Sequence, residues 1–146
     1  MVLIVIDGYN VLRQTGVSGA SDVHKRDLFV TQLDAYAAKR KHHIIVVFDG
    51  GPYDRPYRGY QGGVQVVYSG SGQTADEYIC DYLTMQQNVE LLLVSSDHEL
   101  CIYADRLDFV SIDSCYFYRI LRDTLSVSAA SSVARYKRIQ DTRMAS

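Results

Sequence analysis

Asp7 closes the apolar run Val2-Leu3-Ile4-Val5-Ile6, and Gly8, Tyr9 and Asn10 follow it. A carboxylate at the end of a buried strand needs a partner, because an unpaired buried charge is among the costliest things a fold can hold. Taken alone, the stretch reads equally well as a turn, since Asp-Gly turns readily and Asp or Asn can bond nearby backbone. Other acids stand in matching places. Asp49 follows Ile44-Ile45-Val46-Val47-Phe48, Asp76 follows the Val64 to Tyr68 run, and Asp97 follows Val89 to Val94. If these acids meet, two like charges about 4 Å apart repel by roughly 4 kcal/mol at an effective dielectric of about 20. Such a cluster takes up protons or a cation. Oxygen-only ligands are hard, which favours Mg2+ or Mn2+ over zinc. A bound ion of that kind acidifies a water and neutralises charge on a phosphoryl group, so the chemistry implied is phosphodiester hydrolysis.

Within that set, Asp7, Asp76 and Asp97 are the candidate metal ligands. With Asn10, whose amide could serve beside a metal-bound water, they form the candidate catalytic group. Asp49 divides evenly between ligand and Asp-Gly turn. Glu77 and Glu99 read more readily as capping-box partners of Thr74 and Ser96, with Glu77 kept as a further metal candidate. Asp81 reads as a solvated helix residue, and His98 as a surface helix residue.

The elements that must position these residues alternate. Strands are expected at 2–7, 44–48, 64–68, 89–94 and 109–112. Helices are expected at 22–41, 74–87 and about 97–106, with a last helical region that breaks near 126–132. Ser21 or Asp22 can cap the first helix, whose apolar face is Leu28, Leu33, Tyr36 and Ala37. Its basic end, Lys39-Arg40-Lys41-His42-His43, suits the negative end of the helix dipole, with RNA-backbone contact as the minority reading. Residues 11–21 and 69–73 read as loops, Ser69-Gly70-Ser71-Gly72 as a flexible connection. Residues 51–63 hold both prolines and read as irregular. This alternation predicts an α/β fold of three α/β/α layers around a mostly parallel sheet of about five strands. Ligands of such sheets bind beyond the carboxyl ends of the strands, where the candidate acids lie.

Composition narrows the class. The 146 residues are 47% hydrophobic and 22% charged with a net charge of −2, which describes one globular domain over 1–146. The segment 114–146 is locally basic, through Arg119, Arg122, Arg135, Lys137, Arg138 and Arg143 against Asp123 and Asp141. Cys80, Cys101 and Cys115 lack zinc spacing and read as buried thiols of a reducing compartment. The first apolar run is short and ends in an acid, so neither a signal peptide nor a membrane span is expected, and the cytoplasm is the expected location. The Ser/Gly segment lacks the Lys-Ser/Thr of a phosphate loop, and strand 1 lacks a dinucleotide fingerprint. Tyr9 stands where an aspartyl-phosphate phosphatase would carry its second acid.

The ordered set Ile6-Asp7-Gly8-Tyr9-Asn10, Val46-Val47-Phe48-Asp49, Gly62-Gly63-Val64 with Val66-Val67, Thr74-Ala75-Asp76 with Tyr78-Ile79, and Ser95-Ser96-Asp97 resembles the NYN domain family. The likeness is to its YacP-like branch, within the PIN-like nuclease superfamily, and it covers about residues 2–125. It implies a PIN-like fold and metal-dependent endoribonuclease activity, with Asp7, Asp76 and Asp97 holding the metal and Asn10 as a polar partner. It also implies a link to RNA turnover at the ribosome. Cys80 stands where the family often has a further acid, so Glu77 or Asp81 would have to replace it. Arg26 sits where this branch tends to have an arginine.

The loop 51–63 interleaves Tyr53, Tyr57 and Tyr60 with Arg55 and Arg58. Tyrosine faces can stack unpaired bases while arginine meets phosphate, which suits single-stranded RNA, mRNA included. Arg26 and the basic C-terminal stretch extend that track. The same tyrosines could instead pack down on the domain. Two other readings remain: a non-catalytic RNA-binding or ribosome-associated module, and a small-molecule phosphohydrolase. The oligomeric state has no signature in the sequence.

Overall fold

Alternate residues of the apolar runs go to opposite faces of one sheet. Ile4 and Ile6, with Ile44, Val46 and Phe48, pack on one side against Phe29, Val30, Leu33 and Tyr36. Val5, with Ile45, Val47 and Val67, packs on the other side against Ile79, Leu83, Leu100 and Ala104. Both faces are covered, which is why the runs lack polar alternation. The result is the expected three-layer α/β/α arrangement. It is seen in a computed structural model that describes residues 2–15 and 22–126. Ser21, the break expected near 126–132 and the basic residues from Arg135 to Arg143 lie outside the described residues.

The elements are β1 (Leu3–Asp7), α1 (Gly8–Leu12), a 3-10 turn (Arg13–Thr15), α2 (Asp22–Arg40), β2 (His43–Phe48), β3 (Tyr57–Gln61), β4 (Val64–Tyr68), α3 (Ala75–Met85), β5 (Leu91–Val94), α4 (His98–Arg106) and β6 (Val110–Ile112). A further helix, α5, spans residues 114–126. The sheet has six strands in the order β3-β4-β2-β1-β5-β6. All neighbours are parallel except the β3–β4 pair. From β1 the chain passes to β2 and β4 on one side and later to β5 and β6 on the other. The carboxyl end of β1 is therefore the topological switch point of the sheet.

Four expectations are corrected. Residues 51–63 are not wholly irregular, since Tyr57–Gln61 forms edge strand β3, antiparallel to β4. Both prolines fall before that strand, where no ladder hydrogen bond is lost. Gly62 (φ 60°) and Gly63 make the two-residue turn into β4. Residues 11–15 continue a helical turn from Gly8 rather than opening a loop. The segment 69–72 is not a free connection: Gly70 N–H donates to Gly50 O at 2.7 Å, Ser71 N–H to Tyr53 O at 3.0 Å and Gly72 N–H to Asp54 O at 3.1 Å. Those bonds fasten the loop after β2 to the loop after β4. Leu28 points outward at 55% exposed, and the buried face of α2 is Phe29, Val30, Leu33, Tyr36 and Ala37.

One smaller reading shifts and another widens. The three cysteines are free and half-buried rather than buried. The basic end of α2 keeps Lys39 and Arg40 in its last turn, as the dipole reading expects, and also reaches another helix, since Lys39 Nζ donates to Thr124 O in the last described turn of α5, 3.1 Å away. α2 itself stops at Lys41, which takes a left-handed φ of 57°, and His42 N–H closes back on Ala37 O.

Gly8 lets α1 leave β1 immediately. A Cβ there would lie 2.5 Å from the Phe48 ring and 3.0 Å from Val47 O. Gly8→Ala is expected to lower stability by about 1–3 kcal/mol through this overpacking. The measurement is the urea midpoint, which should fall with an unchanged slope.

Candidate active site

β1 lies between β2 and β5, with Asp7 in register with Val47 and Ile6 with Val94. A central strand ends deep in the protein, and Asp7 is only 7% exposed. Its carboxylate accepts a hydrogen bond from Ser95 Oγ at 3.2 Å. The same Ser95 Oγ accepts from Asp97 N–H at 3.0 Å, so one buried hydroxyl links the ends of β1 and β5. Asp97 then caps α4, its carboxylate accepting from Leu100 N–H at 3.1 Å. The cap is Asp97 and not Ser96, as the capping-box reading had it. Ser96 Oγ instead donates to Asp113 at 2.6 Å.

Asp76 arrives from the other direction, in the first turn of α3. Thr74 caps that helix as expected, its hydroxyl accepting from Glu77 N–H at 3.1 Å. Asp49 steadies the same start: one carboxylate oxygen accepts from Ala75 N–H at 3.0 Å and from Ser69 Oγ at 3.4 Å. These bonds are neither those of an Asp-Gly turn nor those of a ligand, and both engage the same carboxylate oxygen.

Asp7, Asp49, Asp76 and Asp97 all line one open cleft of about 360 Å³ beyond the strand ends. The repulsion within the cleft shows in the acidities of Asp7 and Asp76. The Asp7 carboxyl is raised from 3.8 to about 6, first by burial, then by the charge of Asp76 and, less, of Asp97. The Ser95 hydrogen bond and the charge of Arg13 oppose the rise. Asp76 is raised by burial, by the charge of Asp97 and a hydrogen bond with it, then by Asp49 and Glu99.

Asn10 lines the cleft, but its amide oxygen is engaged. It accepts from Ser96 N–H at 2.6 Å and from Ser114 Oγ at 2.7 Å. A backbone N–H can only donate, so the oxygen must face Ser96 and the NH2 must turn away from it. Asn10 thus ties α1 to the loop after β5 and to the start of α5.

Two residues escaped the sequence reading. Arg13 lines the cleft and lowers the acidity shift of Asp7. Its signal was being the first cation after the Asp7–Asn10 motif. Asp113 follows β6 as the other acids follow their strands, and it caps α5 by accepting from Cys115 N–H at 2.9 Å and Tyr116 N–H at 3.3 Å. Glu77 does not line the cleft, while Glu99 is close enough to act on Asp76. Asp81 accepts from Gln73 Nε2 at 2.9 Å.

The Tyr/Arg stretch divides by the pleat of β3. Tyr57 faces the α2 side, where it lines a hollow with Arg26 and Tyr68 and touches Tyr53, ring centroids 5.7 Å apart. Arg58 faces the α3 side and lies over the Tyr78 ring, 5.6 Å from its centroid. Tyr60 is near Tyr82 on that same side, and 76% exposed. Arg26 donates to Tyr9 Oη at 2.7 Å and lies over the Tyr68 ring. Arg55 backs onto Gly70 through its main chain.

The chain is thus a three-layer α/β/α domain whose acids gather beyond the carboxyl ends of its strands. The chain belongs to the YacP-like NYN domain family, which matches over residues 4–144. A crystal structure of a point mutant of Rae1 (YacP) from Bacillus subtilis is similar, with 18% identity and a TM-score of 0.73 over 92% of this chain and 82% of that one. A second Rae1 (YacP) crystal structure, also 18% identical, gives 0.62 over 97% and 92%. At that identity the likeness shows the fold. No curated protein matches in sequence. The family is of nuclease type with an RNA-related function and generally uses divalent metals. Among the described residues no helix is long and apolar enough to cross a membrane.

The acidity of Asp7 sets a pH dependence for metal-free protein. Its carboxyl holds a proton more tightly folded (about 6) than at its ordinary value of 3.8. The stabilisation is full below about pH 4 and is lost as pH rises through about 6. The loss is on the order of 2–3 kcal/mol. Asp7→Asn, uncharged throughout, should lack that decline. In chelator, the urea midpoint of wild type minus that of Asp7→Asn should fall between about pH 4 and pH 7. A flat difference would show that Asp7 is not buried among like charges.

Proposed function

We propose that the chain is a metal-dependent endoribonuclease that hydrolyses phosphodiester bonds of single-stranded RNA. The observation that carries this reading is the meeting of Asp7, Asp76 and Asp97 in one cleft although their positions in the chain are far apart. Among the described residues no three His, Cys, Asp or Glu side chains are disposed as a ready-made metal cage. The fit is instead that of an open, oxygen-only set around a buried carboxylate with a raised proton affinity, which suits a hard cation that keeps waters. Asp7, Asp76 and Asp97 would hold Mg2+ or Mn2+, with Asp49 as a further ligand and Glu77 standing outside the cleft wall. The ion when bound supplies an acidified water and neutralises phosphoryl charge.

The chain's own residues supply the rest. Arg13 lies where it can hold the anionic phosphate against four acids. Asn10 fixes the spacing between α1 and the Asp97 loop through its oxygen and can donate from its NH2 to phosphate. Tyr53, Arg55, Tyr57 and Arg26 would carry RNA on the α2 side, with Arg58 and Tyr60 on the opposite face of the β3 edge. The whole of 1–146 would act as one nuclease domain in the cytoplasm, the basic part of 114–146 extending the backbone track. Messenger RNA and ribosome-linked RNA turnover are the processes such an activity fits.

The test is cleavage of structured and unstructured RNA with and without Mn2+. Wild type should cut unstructured RNA, and Asp7→Asn and Asp97→Asn should abolish cutting while leaving the folded far-UV spectrum intact. Full activity in excess EDTA would overturn the reading. Tight RNA binding with no cleavage of any RNA would favour a non-catalytic RNA-binding module.

A further inference from the structure

Beside the acid cleft lies a second cavity, of about 410 Å³, walled by Tyr9, Arg26, Pro52, Tyr57 and Tyr68. Tyr9 and Asp49 line both spaces, so the two are contiguous. We propose that this second cavity is the subsite for one unpaired nucleobase, that of the nucleotide next to the phosphate held at the acids. This rests on the ribonuclease reading above and adds where, and by which group, the strand is gripped.

The shape of the cavity is set by elements that do not depend on ligand. Tyr57 and Tyr68 are direct partners in the β3–β4 ladder, so both rings rise from the same face of the sheet. Tyr68 is held by Phe48, with ring centroids 5.7 Å apart and 30° between planes, and carries the Arg26 guanidinium at 5.6 Å. It is a floor rather than an open stacking face. Tyr9 is also fixed, edge-on to Phe48 at 5.2 Å and bonded through its hydroxyl to Arg26. Tyr57 is different. It is 48% exposed and backed by Tyr53, so it offers an aromatic face toward the opening.

The charges choose the occupant. Arg26 and Asp49 both line the cavity, so it carries no net positive charge to hold a phosphate of its own. A flat, neutral heterocycle needs no such charge and gains stacking on Tyr57. Base stacking on an aromatic side chain tolerates every base, so the subsite sets register along the strand rather than sequence. The phosphate of the same nucleotide is thereby directed past the Tyr9 and Asp49 seam to the acid cleft.

The experiment uses the full chain as Asp7→Asn, and wild type in EDTA, with short single-stranded RNAs carrying 2-aminopurine at successive positions. One position should be quenched on binding far more than its neighbours. Tyr57→Ala should remove that quench and weaken binding roughly 5- to 150-fold. Tyr57→Phe, which keeps the ring, should preserve both, and an abasic nucleotide at the quenched position should reproduce the Tyr57→Ala loss. Uniform quenching, quenching that survives Tyr57→Ala, or no RNA binding at all overturns the proposal. RNA cleavage by wild type with no position-specific quench sinks the subsite and leaves the nuclease. A position-specific, Tyr57-dependent quench in a protein that cuts no RNA does the reverse.

Discussion

The fold is arranged around one carboxylate that it cannot leave in water. Asp7 terminates the middle strand of the sheet, and burial there is the largest cause of its raised proton affinity. Holding it takes the Ser95 hydroxyl, and Ser95 in turn holds the backbone of Asp97. From that pair the polar links run outward. Asn10 bonds Ser96 and Ser114, and Ser96 bonds Asp113, which caps α5. The ends of β1, β5 and β6 and the starts of α1, α4 and α5 are therefore one hydrogen-bonded unit. Its innermost bond, Ser95 to Asp7, is buried and carries the full desolvation penalty if unmade, while the outer bonds through Ser96 and Asp113 lie toward solvent.

The other half of the cleft is assembled by different means. Asp49 reaches across to cap α3, and the loops after β2 and β4 are joined by short backbone bonds. This brings Asp76 to the acids of the first half. It also sets the β3–β4 hairpin beside the cleft, so that the aromatic ladder pair Tyr57 and Tyr68 stands next to the acids on one face of the sheet. The pleat carries Arg58 and Tyr60 to the other face. Interleaved aromatic and basic residues in a sequence thus need not form one surface: in a strand their alternation separates them.

Much of this was legible beforehand because it depends on local rules. Apolar runs with an acid at or soon after their ends marked β1, β2 and β5 as covered strands. The Thr74 cap and the periodicity of Ile79 and Leu83 marked α3. The parallel order, and with it the common sheet edge of Asp7, Asp49, Asp76 and Asp97, followed from the alternation of strands and helices. The errors have physical reasons too. β3 was obscured by two prolines that stop just short of it. Leu28 has the type of a core residue, while the pitch of α2 turns it outward. Arg13 and Asp113 carry only weak positional signals, the first cation after the Asp7–Asn10 motif and an acid after a strand of three residues.

The sequence by itself determined the layers, the switch point and the kind of atom available there, since these depend on periodicity and residue chemistry near each position. Only the tertiary structure decided how those atoms are employed. It gave Asp97 rather than Ser96 the cap of α4, occupied the oxygen of Asn10, set one oxygen of Asp49 to steady α3, and gathered Tyr9, Arg26, Tyr57 and Tyr68 around a second cavity. Each of those outcomes depends on groups that the packing of distant elements brings within hydrogen-bond or ring contact. No single stretch of sequence contains both sides of such a contact.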